Sequence, residues 1–558
     1  MLTRKLLSSL SFLAGAAYAA NITVSNHGGN SSSPLMYGIM FEDINHSGDG
    51  GIYAELIQNR AFQGSTEFPS TIDPWEAVGK AKLTLQNTTV PLSWALPTSV
   101  QVAPGNKFAS GGTIGLQNPG WWGISVTPQP YSGSFWALGS YHGKFTAKLQ
   151  SAKSSHVWAS VEIKSKCQEG EWVEHEFHLH PRVAAPDTDN IFVLDFKPGQ
   201  GSLNFNLISL FPPTYKNSPN GNRPGLMAGL KDLNPSFLRM PGGNNLYDSP
   251  SPTTKKERST DYILGKATSL DSAGSGMRPL DHCPSGQDAL ERGVMQIPME
   301  LVSLNTSNGA KILTLNPSWL CVPPTEYARP NIFATQFGLF DNANRSHPIL
   351  IGEYATIEPN TENTSEPVSW DADEPRLPYL NWVGAVAETI FTLGAERNAD
   401  IVIGASYAPG FQNINGFQWA PDLVSFSADP AKDVYSTSYY AIQLLSAHRY
   451  THTAPFTSDE GFGPAFYVAG VNQGTNQYTF KATVYNTTSP VPFNIDFEGL
   501  HQGAKATLTV LNAPSGLSEN VPNGENVVKR TTTSLTAQKG EVFSFQLKEY
   551  DIAVLTTF

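Results

Sequence analysis

Two patterns of hydrophobic and polar positions divide the chain. Residues 68–211 and 450–558 consist of short runs in which apolar and polar side chains alternate, with turn residues between the runs. A period of two is typical of strands with one buried face, so both stretches predict antiparallel β-sandwiches. The clearest runs are 82–85, 135–138, 144–149, 156–163, 173–179, 191–196 and 203–210 in the first stretch, and 477–485, 506–511 and 542–547 in the second.

The segments 34–65 and 222–448 have a different pattern, in which apolar runs alternate with helix-like spacing. Residues 34–41 and 401–407 are apolar enough to be strands buried on both faces, while 379–397 and 436–448 predict helices. Residues 51–61 predict a further short helix. This alternation is typical of a (β/α)8 barrel of the TIM type, complete or lacking some of its strands.

The predicted fold class is therefore multidomain, α/β plus all-β, with a β-sandwich inserted after the first barrel strand and another at the C-terminal end. The changes of pattern also give domain boundaries. We expect a signal peptide at 1–19, the first barrel strand and its flanking segment at 20–67, the inserted sandwich at 68–215, the rest of the barrel at 216–448 with an irregular stretch at 247–330, and the C-terminal sandwich at 449–558.

The first residues predict secretion. Basic residues near Met1 are followed by an apolar run and by Ala17-Tyr18-Ala19, the order found in secretory signal peptides; the competing interpretation is a buried N-terminal helix. No later run reaches the roughly 20 apolar residues of a membrane span. A secreted chain can carry N-glycans, and the candidate sequons are at Asn21, Asn30, Asn87, Asn305, Asn344, Asn363 and Asn486. A further sequon, at Asn45, is expected to be buried.

Charge and cysteine content exclude several classes of partner. The net charge is −12 and only 15% of residues are charged, which disfavours nucleic acid and anionic membrane surfaces but suits a neutral polysaccharide. The three cysteines allow at most one disulfide, for which Cys283 and Cys321 are a guess. Because no Cys or His cluster has ligand spacing, we expect neither a metal nor an organic cofactor.

Three polar clusters each follow an apolar strand: residues 42–46, 242–245 and 352–353. The carboxyl ends of parallel barrel strands meet on one face, where active sites are built. A carboxylate there can attack an anomeric carbon if a second carboxyl group acts as acid and base. On position alone, Glu353 could equally be a salt-bridge partner at a strand end. The inserted sandwich carries tryptophans that either stack on sugars or fill its core: Trp75, Trp94, Trp121, Trp122, Trp136, Trp158 and Trp172.

Several long motifs carry a family resemblance. The segments "GIMFEDINHSGDGGIYAELIQNRAF" (38–62), "FLRMPGGNNL" (237–246) and "HPILIGEYA" (347–355) resemble the fungal α-L-arabinofuranosidases of glycoside hydrolase family 51, over roughly residues 20–246 and 330–558. The resemblance implies a retaining hydrolase in which Glu353 is the nucleophile. It also implies that Glu42 and Asn244 bind the arabinose ring and that Tyr327 is the active-site tyrosine, although the family's preceding histidine is replaced by Thr325 or Glu326.

One family feature is missing. The family's acid/base is a glutamate preceded by asparagine, and no Asn-Glu dipeptide occurs in this chain. Residues 241–347 are also too few for the four βα units and the helix required, which need about 140 residues. Three explanations remain open: a missed intron or shifted reading frame across about 247–325, a degenerate barrel without activity, or an unusual barrel in which Glu300 or Glu326 supplies the acid.

Three functions compete on this basis. The first is a retaining arabinofuranosidase that removes terminal arabinofuranosyl groups from arabinan or arabinoxylan, impaired if the acid/base is lost. The second is a non-catalytic protein that binds arabinose-containing polysaccharides or oligosaccharides through the sandwich aromatics and a remnant sugar site. The third is a related glycosidase such as an endoglucanase. Oligomeric state is not readable from the sequence.

Overall fold

A computed structural model describes residues 19–65, 68–106, 112–198, 201–239, 326–346, 348–361, 368–369 and 376–558. Several predicted features lie outside this part of the chain. They are the body of the signal peptide, Asn244, Glu300, Cys283, Cys321, and the sequons at Asn305 and Asn363.

The first two strands belong to different parts of the molecule. Strand β1 (Ala20–Val24) lies between two strands of the C-terminal sandwich, whereas β2 (Tyr37–Met40) is a barrel strand. The predicted boundary at 20–67 is therefore wrong at its start, because β1 alternates buried and exposed positions and fits a sandwich sheet. All four residues of β2 are buried, as expected for a parallel strand covered on both faces.

The inserted sandwich consists of two five-stranded antiparallel sheets, with strand orders β10-β7-β12-β5-β4 and β3-β6-β11-β8-β9. Alternate side chains of each strand meet between the sheets, where rings such as Phe135 and Phe145 pack with centroids 5.1 Å apart. Its strands are β3 (Glu76–Gly79), β4 (Ala81–Asn87), β5 (Thr98–Pro104), β6 (Ile114–Asn118), β7 (Tyr131–Leu138), β8 (Lys144–Ser151), β9 (Val157–Lys164), β10 (Trp172–Leu179), β11 (Asn190–Phe196) and β12 (Leu203–Phe211). Cys167 is a free, buried thiol in this sandwich.

The described barrel strands form one parallel sheet in the order β13-β2-β16-β15-β14. The new strands are β13 (Leu238–Arg239), β14 (Glu326–Ala328), β15 (Ile349–Thr356) and β16 (Val402–Tyr407). In chain order around a barrel, these neighbours correspond to strands two, one, eight, seven and six. Tyr327 therefore lies on the strand next to the one that carries Glu353.

Within the described residues, four α-helices accompany this sheet: α1 (Pro224–Asp232), α2 (Pro330–Phe333), α3 (Trp382–Arg397) and α4 (Thr437–Ala447). The start of α3 is set by Asn381, whose side chain accepts a hydrogen bond from the Gly384 amide. Gly384 also lets α3 approach β15, because a Cβ there would lie 2.4 Å from Thr356 Oγ1. Shorter helical turns cover Gly48–Ile52, Tyr215–Asn217, Gln336–Gly338 and Pro430–Lys432.

The helix predicted over residues 51–61 does not form. A π-helical turn at Gly48–Ile52 is followed by extended chain, whose amides bond to the segment that leaves the inserted sandwich: Ala54 N donates to Gly221 O and Leu56 N to Leu210 O. Gly50 adopts φ +81°, which interrupts any regular helix at this point. Tertiary hydrogen bonds have thus replaced the local ones.

A small sheet follows β16, formed by β17 (Phe411–Asn413), β18 (Val424–Phe426) and β19 (Val434–Tyr435). The C-terminal sandwich pairs a six-stranded sheet, β20-β22-β23-β28-β25-β26, with the sheet β21-β1-β24-β27. Its strands are β20 (His452–Thr453), β21 (Phe456–Ser458), β22 (Ala465–Asn472), β23 (Gln477–Val484), β24 (Val491–Phe497), β25 (Lys505–Asn512), β26 (Lys529–Thr536), β27 (Val542–Leu547) and β28 (Ile552–Thr557). Helix α3 packs between β15 and this sandwich. No helix in the described ranges is long and apolar enough to cross a membrane.

Candidate active site

Glu353 was predicted to follow its strand, but it lies within β15 (Ile349–Thr356), which continues for three residues beyond it. Both oxygens of its carboxylate are held by hydrogen bonds. Arg239 Nη1 donates to Oε1 at 2.5 Å, and the Tyr327 hydroxyl donates to Oε2 at 3.0 Å. The side chain is buried but not sealed, with 8% of the residue exposed. A carboxylate fixed at both oxygens has few orientations available, which is the condition for a nucleophile that must meet one carbon atom.

Arg239 reaches Glu353 from β13, which is separated from β15 by β2 and β16 in the sheet. Its Nη1 also contacts Gly352 O at 3.2 Å and Met40 Sδ at 3.1 Å. The guanidinium lies over the backbone of β15, since a Cβ at position 352 would be only 3.3 Å from Arg239 Cζ. The "FLRMPGG" motif contains this arginine, yet sequence reasoning gave it no role.

Two adjacent residues of β14 face opposite sides of the strand. Tyr327 points to Glu353, while the Glu326 carboxylate accepts a hydrogen bond from Gln336 Nε2 at 2.5 Å, beside α2. Because successive side chains of a strand point to opposite faces, Glu326 and Tyr327 cannot both face Glu353. Glu326, one of the two alternative acids considered from the sequence, therefore does not face Glu353. Burial chiefly, with Glu353 second, raises the pKa of Tyr327 well above its ordinary value, so the phenol stays protonated and can donate.

Glu42 follows β2 and is electrostatically coupled to the same carboxylate. Burial first, and then the charge of Glu353, raise the pKa of Glu42 to about 7, while Arg239 acts in the opposite direction. Glu42 thus carries its proton over much of the acidic range. The structure brings together three of the four residues singled out in the sequence, Glu353, Tyr327 and Glu42; the fourth, Asn244, lies outside the described residues.

Asn45 is part of the frame of the site and is buried, as expected. Its Oδ1 accepts from the amides of Gln418 and Trp419, at 2.7 and 2.9 Å, and its Nδ2 donates to Trp419 O at 2.9 Å. These bonds fasten the loop after β17 to the segment that carries Glu42. Asn45 adopts φ +57°, a conformation that asparagine tolerates better than most residues.

That loop places Trp419 beside Tyr327. The rings of Trp419 and Tyr327 lie 5.7 Å apart between centroids, and the Arg376 guanidinium stacks over the indole at 4.2 Å. Burial lowers the pKa of Arg376, with the charge of Glu358 acting against it. Neither Trp419 nor Arg376 was singled out from the sequence; the one available signal was the "GFQWAPD" segment within a family-like motif.

Across the described ranges, no group of three or more His, Cys, Asp or Glu side chains could hold a metal ion. The arrangement offers a fixed carboxylate, a protonated phenol, a guanidinium and a second carboxyl group that carries a proton near neutral pH. Such a set suits substitution at an anomeric carbon within a pocket that binds hydroxyl groups.

Comparison with known proteins shows the family of the chain. The profile of the α-L-arabinofuranosidase C-terminal domain matches residues 352–550. Probable α-L-arabinofuranosidase A of Aspergillus terreus is 31% identical, over 99% of this chain and 98% of that protein. An arabinose-bound family 51 α-L-arabinofuranosidase has a TM-score of 0.75 and 26% identity, over 96% of this chain and 99% of that one. The chain belongs to the family 51 α-L-arabinofuranosidases.

Membership of this family confirms the predicted fold class, a TIM barrel with β-sandwiches, and makes the chain a glycoside hydrolase. α-L-Arabinofuranosidase A of Aspergillus kawachii is a further relative, 30% identical over 98% of each chain. The alignment with the Aspergillus terreus relative runs over 647 positions, although this chain has 558 residues. The family relative therefore carries segments that have no counterpart here.

Proposed function

We propose that this arabinofuranosidase hydrolyses terminal non-reducing α-L-arabinofuranosyl groups of arabinan and arabinoxylan with retention of configuration. Glu353 is the nucleophile. The observation that carries the proposal is the fixation of both Glu353 oxygens by Arg239 and Tyr327. The family resemblance gives Glu353 the same role.

The reaction would proceed in two displacements. A Glu353 oxygen forms a bond to the anomeric carbon while the glycosidic C–O bond breaks, and the leaving oxygen takes the electron pair and a proton. Water then attacks the same carbon, the glycosyl ester breaks, and Glu353 regains its carboxylate. Glu42 and Asn244 bind the sugar hydroxyls in this proposal, and Arg239 and Tyr327 orient the nucleophile.

The proposed mechanism lacks an identified donor for the proton that the leaving group needs. The chain has no Asn-Glu dipeptide, and Glu326 faces Gln336 on the other side of β14. We therefore propose that the chain retains attack by Glu353 but is impaired toward natural glycosides, whose alkoxide needs a proton to leave. Substrates with an acidic phenol as leaving group do not need that proton.

The test is a leaving-group series of aryl α-L-arabinofuranosides compared with arabinoxylan. We expect kcat/KM to fall steeply as the pKa of the phenol rises, and Glu353→Gln to lower it at least about 10⁴-fold. Glu326→Gln is the matched control and should change it less than about twofold, because its side chain lies outside the site. Activity that survives Glu353→Gln would refute the assignment. Binding of polysaccharide without any turnover by the parent chain would favour the non-catalytic alternative.

We also propose that the chain is secreted and carries N-glycans. Five sequon asparagines within the described residues are exposed: Asn21, Asn30, Asn87, Asn344 and Asn486. The first described strand, β1, starts at Ala20, directly after the predicted cleavage site. Protein secreted by a eukaryotic host should begin at Ala20 and lose mass on deglycosylation. A mature chain that retains Met1 would contradict the signal peptide.

A further inference from the structure

The inserted sandwich sends one loop to the active-site face of the barrel. This loop, residues 119–124, is the first part of the connection from β6 to β7, and backbone hydrogen bonds hold it in place: Gly123 N donates to Pro119 O at 3.1 Å, and Ile124 N donates to Thr188 O, just before β11, at 2.9 Å. At its tip Trp122 adopts φ +59°, an uncommon conformation for a bulky residue. Strain of this kind persists where the surroundings fix it, and it is enriched at binding sites.

The tip contacts two segments of the barrel that frame the site. Trp122 packs edge-on against His46, with centroids 4.9 Å apart. Its indole also rests on Gly416, where a Cβ would lie 2.2 Å from the ring. His46 is four residues beyond Glu42, and Gly416 belongs to the loop that carries Trp419. The orientation of Trp122 is thus fixed by contacts with the barrel as well as by Trp121 of its own loop.

A large part of this indole nevertheless faces solvent. Trp122 is 44% exposed, and Phe417, the residue after Gly416, is 48% exposed. We define these two residues as the aromatic platform. A chain of contacts leads from the platform to the nucleophile: the loop 416–419 carries Trp419, whose ring contacts Tyr327, and Tyr327 donates to Glu353. Exposed aromatic rings at the rim of a sugar site are an unfilled contact surface.

Building on the function proposed above, we propose that the aromatic platform binds the main chain of the polysaccharide, and that this main chain is a β-1,4-linked xylopyranose polymer. A xylopyranose ring carries its substituents equatorially and has no exocyclic CH₂OH group, so both faces present C–H bonds that can lie flat on an aromatic ring. An arabinofuranose main chain has puckered five-membered rings and offers no comparable flat face.

The charge of the protein also favours a neutral main chain. With a net charge of −12, the protein repels polyuronates, whereas xylose residues carry no charge. The platform consists of two rigid side chains, which lose little conformational entropy when they bind. The inserted sandwich thereby becomes part of the specificity of the barrel, since the arabinofuranosyl group enters beside Glu353 while its xylan main chain lies across Trp122 and Phe417.

The platform can be tested by comparing one variant on three substrates. Trp122→Ala should raise KM for arabinoxylan about tenfold, equivalent to about 1.4 kcal/mol. The same variant should leave kcat/KM within about twofold on branched arabinan and on an aryl arabinofuranoside, neither of which has a pyranose main chain. Trp122→Phe should restore part of the affinity. Trp94→Ala is the matched control, because Trp94 is 91% exposed on the same sandwich.

Each contrary outcome overturns a defined part of the proposal. An equal loss on arabinan and arabinoxylan would refute the xylopyranose main chain as the occupant. A loss on the aryl substrate would place Trp122 in the arabinose site itself, and an unchanged KM for arabinoxylan would remove the platform altogether.

A binding experiment separates this proposal from the proposed function. In a Glu353→Gln background, a xylo-oligosaccharide should bind, and adding Trp122→Ala should raise its Kd about tenfold, as measured by calorimetry. A parent chain that releases no arabinose from any substrate would refute the proposed function but not this result. A xylo-oligosaccharide that fails to bind, or binds equally well to both variants, would refute the platform even in an active enzyme.

Discussion

The two β-sandwiches join the barrel through different kinds of contact. At the C-terminal sandwich, Lys481 of β23 lies fully buried, 2.6 Å from Glu396 of α3, and Tyr37 at the start of β2 also donates to Glu396. At the inserted sandwich, Glu55 and Arg60 form a buried pair at 3.1 Å. Glu55 accepts from Ser209 and Leu210 of β12, but the same junction continues to the half-exposed Trp122.

This difference suits the C-terminal junction to stabilising the fold and the inserted junction to substrate recognition. The junction with the C-terminal sandwich involves the first residue of β2, at the amino end of the strand, and the charged side chains of this junction are buried. The junction with the inserted sandwich reaches the segment that follows Glu42, at the carboxyl end of the same strand. The active site of a barrel lies at the carboxyl ends of its strands. A sandwich at that end can therefore contribute to substrate recognition, whereas a sandwich at the other end can stabilise the fold.

The largest expected effect comes from removing the buried lysine. Lys481→Met leaves the Glu396 carboxylate buried with only the Tyr37 and Tyr450 hydroxyls as described donors, so the free energy of unfolding should fall by about 3–5 kcal/mol. Arg60→Met should lower it less, by about 2 kcal/mol, because the Ile57 and Leu210 amides and the Ser209 hydroxyl still bond to Glu55.

Urea denaturation of both variants at one pH measures this order. Lys505→Met is the control, since Lys505 lies exposed on β25 of the same C-terminal sandwich. If Arg60→Met proved the more destabilising of the two, the contrast between the junctions would be broken, and the inserted sandwich would have to count as the main support of the fold.

A further effect, which depends on pH, is expected at Glu42, beside the inserted junction. The pKa of this carboxyl is raised to about 7 in the folded chain, against about 4.3 when unfolded. The folded state therefore holds a proton that the unfolded state has lost, and Glu42 weakens the fold progressively as the pH rises from about 4.5 to 7.

Glu42→Gln removes this titration. At pH 8 the variant should be more stable than the parent by at most about 3 kcal/mol, and the difference should vanish near pH 4. Denaturation curves at both pH values measure it, with the pH 4 curve as the internal control. If the difference in stability between the parent chain and Glu42→Gln were the same at both pH values, ionisation of Glu42 would not destabilise the folded state.

Much of the fold was readable because periodicity survives in the strands. The alternation in 144–149 became β8, and the apolar run 401–407 became β16. What periodicity could not give was pairing between distant segments. The five residues of β1 read equally well as flanking chain, and only the strands β21 and β24 decide their place. The segment 51–61 failed for the same reason, since its amides found partners in the inserted sandwich.

The sequence predicted the position of a site residue that comes after an apolar run. It did not predict which way a residue within a strand points, because the strand register determines that direction. The apolar run before Glu353 indicated its position, but only the family resemblance distinguished a nucleophile from a salt-bridge partner. Glu326 and Tyr327 are neighbours on a three-residue strand, too short for any pattern to show which one faces the barrel interior. Arg239 was not predicted because the side chain of an arginine at a strand end can extend into solvent as readily as it can contact a carboxylate.

The position of β1 has a consequence for how the chain is assembled. Ala20–Val24 is synthesised long before its partners β21 and β24, so it can pair within this sheet only after residues 456–497 have been made. Removal of Ala20–Val24 would separate β21 from β24 and leave a gap in the C-terminal sandwich.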